Sequence, residues 1–285
     1  MSTLTKQDTF QALFAATPEN FLSIRTLGKE SFLSQGVPAI KAEEYKFTNI
    51  SKKLENAIKS FSPALPFEIS KSQVKSALFE GFEGNVLVFS NGEFLPELSS
   101  IIEGVEVAKL SKKPETALGS IAKGSKDPFA ALNQASFADG ISISIPKKTQ
   151  IEKPILLLSF NKENVGQVIQ PRVWIEVGDF SEVTFIDQSI SLSDSAYFVN
   201  KVVEVKGGVN SQISYYRLQN ESKNTIEVSN FETDIQKDAK FTSVNISVSG
   251  DMVRNNLSLN LLGSNSEGNM FGVYLVNGKT HVDNH

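Results

Sequence analysis

The chain of 285 residues contains no cysteine. Disulfides, thiolate metal sites and cysteine nucleophiles are excluded together. Histidine is almost as scarce: His281 and His285 are the only two, both in the last five positions. A Ser-His-Asp site would have to be built at that end of the sequence. The sequence has no Walker-type phosphate loop, no dinucleotide-binding glycine fingerprint and no Gly-x-Ser-x-Gly elbow. Long apolar runs are missing too. The longest are strand-length, far short of the roughly 20 residues a membrane helix needs. The first residues lack the basic stretch and apolar stretch of a secretory signal. Together with the absence of cysteine, this predicts a cytoplasmic protein. Excess positive charge is also absent: the net charge is −4 and the pI about 5.4, which disfavours nucleic acid and anionic membrane surfaces as partners. What remains, 40% hydrophobic and 21% charged residues, is the balance of an ordinary soluble globular protein.

From Gly140 onward the sequence reads as consecutive short β-strands. Ile141 to Ile145, Pro154 to Phe160, Arg172 to Val177, Glu182 to Asp187, Tyr197 to Val205 and Ser211 to Leu218 come first. Thr225 to Glu232, Phe241 to Ser249, Asn255 to Leu262 and Met270 to Val276 follow. Each is rich in β-branched and aromatic residues and is bounded by Gly, Asn, Asp, Ser or Lys. Strand starts are spaced irregularly, with Asn and Ser recurring at the turns. The pattern alone is compatible with a solenoid, a sandwich or a closed barrel.

The first part differs. Helices are predicted over Asp8 to Ala16, from a Thr17 N-cap with Pro18 at the first helical position to about Ser34, and over Ser51 to Ser60. Gly36 and Pro38 stop the second. Asn91-Gly92 between Val86–Phe89 and Glu93–Leu95 predicts a hairpin with a type I′ turn. Helical pieces are predicted over Pro114 to Gly124 and Pro128 to Ala138. The domain reading is a helical region over 1–80 and a β-region over 81–285, interrupted by helix near 113–138.

Few residues have the character of a site. His281, Asp283 and His285 are two apart, so on an extended strand they share one side. Two imidazoles and a carboxylate could hold iron or zinc; the alternative is three polar side chains on the solvent face of a last strand. Glu43-Glu44 reads as a solvated loop pair, Gly207-Gly208 as a turn, and Asp179, Asp187 and Asp194 as residues beside strand ends. Trp174 reads as core. Arg172 and Arg217, inside strands, read as surface salt-bridge partners or groove residues.

Several segments carry a resemblance. Lys41-Ala-Glu-Glu-Tyr-Lys-Phe-Thr-Asn-Ile50 is similar to an N-terminal Glu-Glu-Trp-Lys-Tyr-Thr-Asn-Leu signature, with Tyr45 and Phe47 in place of its aromatics. Phe129 to Phe137 with Asp139-Gly140, Ile145-Pro146 with Lys153-Pro154-Ile155, and Gln170-Pro171-Arg172-Val173 match successive motifs. Asn255-Asn256-Leu257 through Leu262-Gly263, then Gly272-Val273-Tyr274 and His281-Val282-Asp283, complete the order. No single piece is specific; the order across 41–285 is. The chain resembles the SufB/SufD family of iron–sulfur cluster assembly scaffolds, its SufD branch more than SufB. That resemblance implies a mainly β fold, a right-handed parallel β-helix (solenoid) with an N-terminal helical region. It implies a scaffold subunit of the SUF system that pairs with SufB and the ABC-type ATPase SufC, or with a second copy of itself. No catalytic site of its own, no stably bound cofactor, and at most transient contact with iron or an Fe–S cluster in the full complex are expected. The family pattern continues past His285, so the β-helix is expected to be C-terminally incomplete here. The histidine implicated at the family's cluster site has no match, and no catalytic residue is transferred. The competing readings are a carbohydrate-active or adhesive β-helix, which would need a signal peptide and a carboxylate-lined face, and a β-sandwich binding module.

Overall fold

The structure, a computed structural model, describes residues 7–39, 41–58, 61–113, 118–122, 127–162 and 167–285. Its strands are β1 (Ser62–Pro63), β2 (Asn85–Ser90), β3 (Glu93–Phe94), β4 (Glu106–Lys109), β5 (Ile141–Ile145), β6 (Ile155–Asn161), β7 (Gln167–Ile169) and β8 (Arg172–Val177). The longer ones follow: β9 (Glu182–Ser191), β10 (Phe198–Gly207), β11 (Gln212–Asn220), β12 (Ile226–Ile235), β13 (Lys240–Ser249), β14 (Met252–Leu261), β15 (Glu267–Tyr274) and β16 (His281–Asn284). The helices are α1 (Gln11–Ala15), α2 (Leu22–Gln35), α3 (Ile50–Ala57), α4 (Lys71–Ala77) and α5 (Pro128–Ser136).

Successive strands alternate between two sheets. One runs β16-β14-β12-β10-β8-β5-β4, with β1 and β7 at its side; the other runs β15-β13-β11-β9-β6-β2-β3. Every pairing along β5 to β16 is parallel; among the described residues only β4 with β5 and β2 with β3 are antiparallel. The result is a parallel β-solenoid of about five turns. Partners in adjacent coils lie about 26 to 30 positions apart, as in Arg172↔Val202, Val202↔Asn230 and Asn230↔Asn256. The period therefore belongs to pairs of strands, which is why single strand starts look irregular.

One corner recurs in each coil. Lys148, Phe180, Asn210, Asp238 and Asn265 all have positive φ, and each corner donates a backbone N–H to the next: Lys148 to the Asp179 carbonyl, Phe180 to Val209, Asn210 to Lys237, Asp238 to Ser264. Asn and Asp tolerate this left-handed turn because their side chains bond locally. The Asn265 amide donates to Asp238 Oδ1 at 3.0 Å, a polar stack of the kind the turn composition suggests. The β2–β3 hairpin forms as predicted, with Asn91 at φ 48° and Gly92 at φ 85°.

Helices α1, α2, α3 and α5 gather on the outer face of the first sheet, and α4 on that of the second. Phe129 and Leu132 of α5 pack with Phe198, Val228 and Met252. α2 crosses α5 at Gly28, where a Cβ would lie 2.7 Å from the Ala135 nitrogen; only glycine allows that approach. Trp174 is core, in a cluster with Phe21, Leu110 and Phe137. The start of α2 corrects the sequence reading. The Thr17 hydroxyl donates back to the Phe14 carbonyl at 2.8 Å, so it is spent on the preceding helix. α2 begins only after Phe21, at φ 58°. Of the helix expected over Pro114 to Gly124, residues 118–122 are turns and bends, and the rest lies outside the described residues. α4, with a Ser70–Gln73 capping box, was not anticipated. Among the described residues no helix is long and apolar enough to cross a membrane.

Candidate functional site: a polar seam and a charged lumen

Two polar assemblies stand out, one outside the solenoid wall and one within it. The outer one is a seam where the segment 41–50 meets the solenoid. Asn49 caps α3 by accepting from the Lys52 N–H. That positions the preceding turn so that Tyr45 and Thr48 point into the wall and are buried, while Glu43, Glu44 and Phe47 stay exposed. The Arg254 guanidinium lies over the Tyr45 ring, 4.1 Å from its centroid, a cation–π contact. The Tyr45 hydroxyl donates to Asp127 Oδ2 at 3.1 Å. Asp127 is the N-cap of α5 and accepts from the Phe129 and Ala130 N–H groups at 2.8 and 2.9 Å. The Asn230 amide adds a third bond to Oδ1, the oxygen that takes those two. Burial pushes the Asp127 carboxyl up despite these donors, and burial followed by the Asp127 charge pushes the Tyr45 phenol up.

Thr48 links this seam to the last strand. Its hydroxyl donates to Asp283 Oδ2, so its oxygen accepts from His281 Nε2 at 3.1 Å. Arg254 also donates to Asp283. His281 and Asp283 thus come together on Thr48. His285 engages through its backbone, donating to the Asn255 carbonyl and accepting from the Leu257 N–H, each at 2.8 Å. Among the described residues no three His, Cys, Asp or Glu side chains gather as a metal site.

The lumen is divided lengthwise. One half is apolar, filled by residues such as Ile143, Ile175, Val205, Ile213, Phe231 and Phe241. The other half is polar. Register places Leu157, Asp187, Arg217, Asn245 and Gly272 in one inward row, facing Lys201, Ser229, Asn255 and Asn284. Lys201 Nζ donates to both Asp187 oxygens at 2.6 and 2.5 Å, and the Tyr215 hydroxyl donates to Oδ2 at 2.8 Å. Arg217 pairs with Glu227 and donates to Ser229 Oγ. Ser229 and Gln219 continue the chain to Asn255, which reaches Asn284 at 2.8 Å. Burial pushes the Asp187 carboxyl up, but Lys201 and Arg217 beside it outweigh that and hold it below the usual range. At the corner, Glu221 accepts from Asn161 and from the Tyr197 hydroxyl, each at 2.6 Å. Burial, then the Glu227 charge, pushes its carboxyl up to about 7.

The arginines therefore bridge to acids, but not at the surface. Arg172 pairs with Glu204 at 1% and 0% side-chain exposure, and Arg217 with Glu227 at 2% and 1%. Asp187 is not beside a strand end; it is central in β9 and fully buried. The missed signal was the acid and base types at inward parity: Asp187, Lys201, Arg217 and Glu227 all stand at odd positions, in step with the buried Val183, Val203, Ile213 and Phe231. Neither assembly exposes a nucleophile beside a base. The groups of the seam pair with one another, and those of the lumen largely do, with Arg217 Nε, Gln219 Nε2 and Glu227 Oε2 left without a hydrogen-bond partner; both assemblies are suited to holding segments in place.

Residues 6–157 match the family model described as the SufBD protein N-terminal region. Residues 159–285 match that described as SUF system FeS cluster assembly, SufBD core domain. The chain belongs to the SufBD family. It is 23% identical over 294 residues to an iron-sulfur cluster assembly SufBD family protein of Synechocystis sp., covering 96% of this chain and 64% of that protein. It is 24% identical over 245 residues to the iron-sulfur cluster assembly protein SufD of Escherichia coli, covering 83% and 55%. To the chloroplastic protein ABCI7 of Arabidopsis thaliana it is 24% identical over 270 residues, covering 87% and 55%. The chain thus spans between about half and two thirds of the length of these relatives. The seam acquires a meaning from this membership. Four of the segments that resemble family motifs, at 41–50, 129–140, 255–257 and 281–283, are distant in sequence and adjacent at the seam.

Proposed function

We propose that this chain is a SufD-type scaffold subunit of the SUF iron–sulfur cluster assembly machinery, acting in the cytoplasm. It docks SufB and the ATPase SufC and performs no bond-making step itself. The observation that supports this is the convergence of four motif segments on a seam whose polar groups pair with one another: Tyr45 with Asp127, Thr48 with His281 and Asp283, Arg254 with Tyr45 and Asp283. Residues of that kind hold an N-terminal segment against a solenoid; they do not present a reactive group. Iron or a nascent cluster is cargo of the assembled complex on this reading. The test is reconstitution with purified SufB and SufC, followed by sedimentation. Co-migration of the chain with both partners is expected. Failure to enter any complex at tens of micromolar, while the chain remains folded, overturns the reading. The chain run alone reads whether it also pairs with itself.

A further inference from the structure

The corner between β11 and β12 holds a carboxylate that no base answers. In the polar half of the lumen and at its corner, the acids among the described residues are Asp187, Glu227 and Glu221, and the bases Lys201 and Arg217. Lys201 is taken by Asp187 and Arg217 by Glu227. Glu221 is left over. It is 3% exposed, and the groups that donate to it, the Asn161 amide and the Tyr197 hydroxyl, are neutral. Register explains the meeting. Asn161 pairs with Ser191, and Ile190 with Asn220, so Asn161, Ser191 and Glu221 stack in one column of the corner. Serine is small, and its two neighbours meet across it. Tyr197 and Thr225 each precede the paired Phe198 and Ile226 and stand on the other side of the corner. The Tyr197 hydroxyl bonds Ser191 Oγ as well as Glu221.

Two oxygens of this cluster have no hydrogen-bond partner. One is Asn161 Oδ1, on the amide whose nitrogen meets Glu221; the other is Thr225 Oγ1, which faces the Tyr197 hydroxyl. Both residues are 1% exposed. A cleft between segments 191–194 and 220–222 leads from solvent to Glu221 and carries the exposed Asp194. We propose that this corner binds a hard divalent cation. Every group on offer is an oxygen: the carboxylates of Glu221 and Asp194, the Asn161 amide oxygen, and the hydroxyls of Ser191, Tyr197 and Thr225. Oxygen sets of this kind suit calcium, magnesium or manganese and not the softer metals. A water would bond the unpartnered oxygens but leave the buried charge unanswered; a cation answers both. Calcium fits better than magnesium, because it accepts roughly six to eight oxygens in flexible geometry, waters included, where magnesium demands a near-ideal octahedron. The site does not rest on the assembly role and stands if that role fails.

The test is titration of the chelator-treated protein, at its native length, with Tb³⁺, whose luminescence a neighbouring tyrosine sensitises; Tyr197 is that tyrosine. Saturable sensitised emission is expected, displaced by Ca²⁺ at concentrations on the order of 10⁻⁴ to 10⁻³ M and by Mg²⁺ only at higher ones; the reverse order keeps the site and makes magnesium its ion. Glu221→Gln should weaken binding roughly tenfold or more, and Asp194→Asn severalfold, with the circular dichroism of each unchanged. If Glu221→Gln does not fold, the exposed Asp194 carries the test. Absence of saturable emission, displacement by neither Ca²⁺ nor Mg²⁺, or unchanged affinity in the folded variant overturns the proposal.

Discussion

Removing the charge of Asp187 while keeping its shape separates two views of the lumen. In Asp187→Asn, Lys201 loses a partner that it contacts at 2.5 and 2.6 Å, and Arg217 loses a carboxylate 3.7 Å from its Nε. At an effective dielectric constant of about 20, a 2.6 Å pair attracts by roughly 6 kcal/mol. Desolvation costs several kcal/mol per ion, so the intact pair is near break-even. The variant keeps the desolvation cost of Lys201 and loses the attraction, a net loss of about 3 to 5 kcal/mol. For a chain of this size each kcal/mol lowers the melting temperature by about 2–4 °C, so a drop of roughly 10 °C is expected by circular dichroism at pH 7. The double variant Asp187→Leu/Lys201→Met removes both ions and should melt within a few degrees of the parent. Because the folded carboxyl titrates below its usual range, the stabilisation is present above the unfolded value and is lost as pH falls through the folded one. If Asp187→Asn melts within about 2 °C of the parent, or the double variant falls as far as the single one, the ions are not dry and the reasoning fails.

Three further outcomes follow from particular contacts. Glu221 releases its proton at about 7 when folded against an ordinary 4.5, so the folded state loses stability as pH rises between those values. From pH 5.5 to 8 the loss should be about 2 kcal/mol, and Glu221→Gln should flatten that slope in melts at the two pH values. Gly28→Ala forces a Cβ to 2.7 Å from the Ala135 nitrogen and should cost about 1 to 3 kcal/mol by overpacking, read as a lower denaturation midpoint. Thr48→Val removes one partner from His281 and one from Asp283, which keeps Arg254; a loss of about 1 kcal/mol and earlier proteolytic cleavage within 41–50 are expected.

The strands were legible because their chemistry is local. Arg172 to Val177 and Ile141 to Ile145 end where β8 and β5 end, since β-branched residues and turn residues mark them directly. The Asn91-Gly92 hairpin was readable for the same reason. The architecture was not, because a solenoid is defined by which strand stacks on which, and neighbours in the stack are separated by a whole coil. Family motifs supplied what spacing did not. β1 and β7 were invisible: two and three residues long, they owe their pairing to the sheet edge they meet. Of the terminal His281, Asp283 and His285, parity alone placed all three on one side. The seam engages the first two because Thr48 comes from a segment more than two hundred positions away.

The charged lumen raises a question of selection, since apolar residues of similar volume would serve stability as well. Register offers the answer. Coils of about 26 to 30 residues with the same inside-outside alternation are nearly interchangeable in their apolar half. Their polar half is not: Leu157, Asp187, Arg217, Asn245 and Gly272 form a row in which each charge occurs once. If one wall slipped by a coil against the other, Asp187 would leave Lys201, and breaking that dry pair costs about 3 to 5 kcal/mol. The ions therefore penalise wrong stacking more than they favour the right one. The double variant Asp187→Leu/Lys201→Met carries the consequence. It should melt like the parent yet refold from urea in lower yield, with weaker amide-exchange protection in β9 and β11 among the refolded molecules. Equal refolding yield and equal protection in those two strands would remove register as the reason for the buried charges.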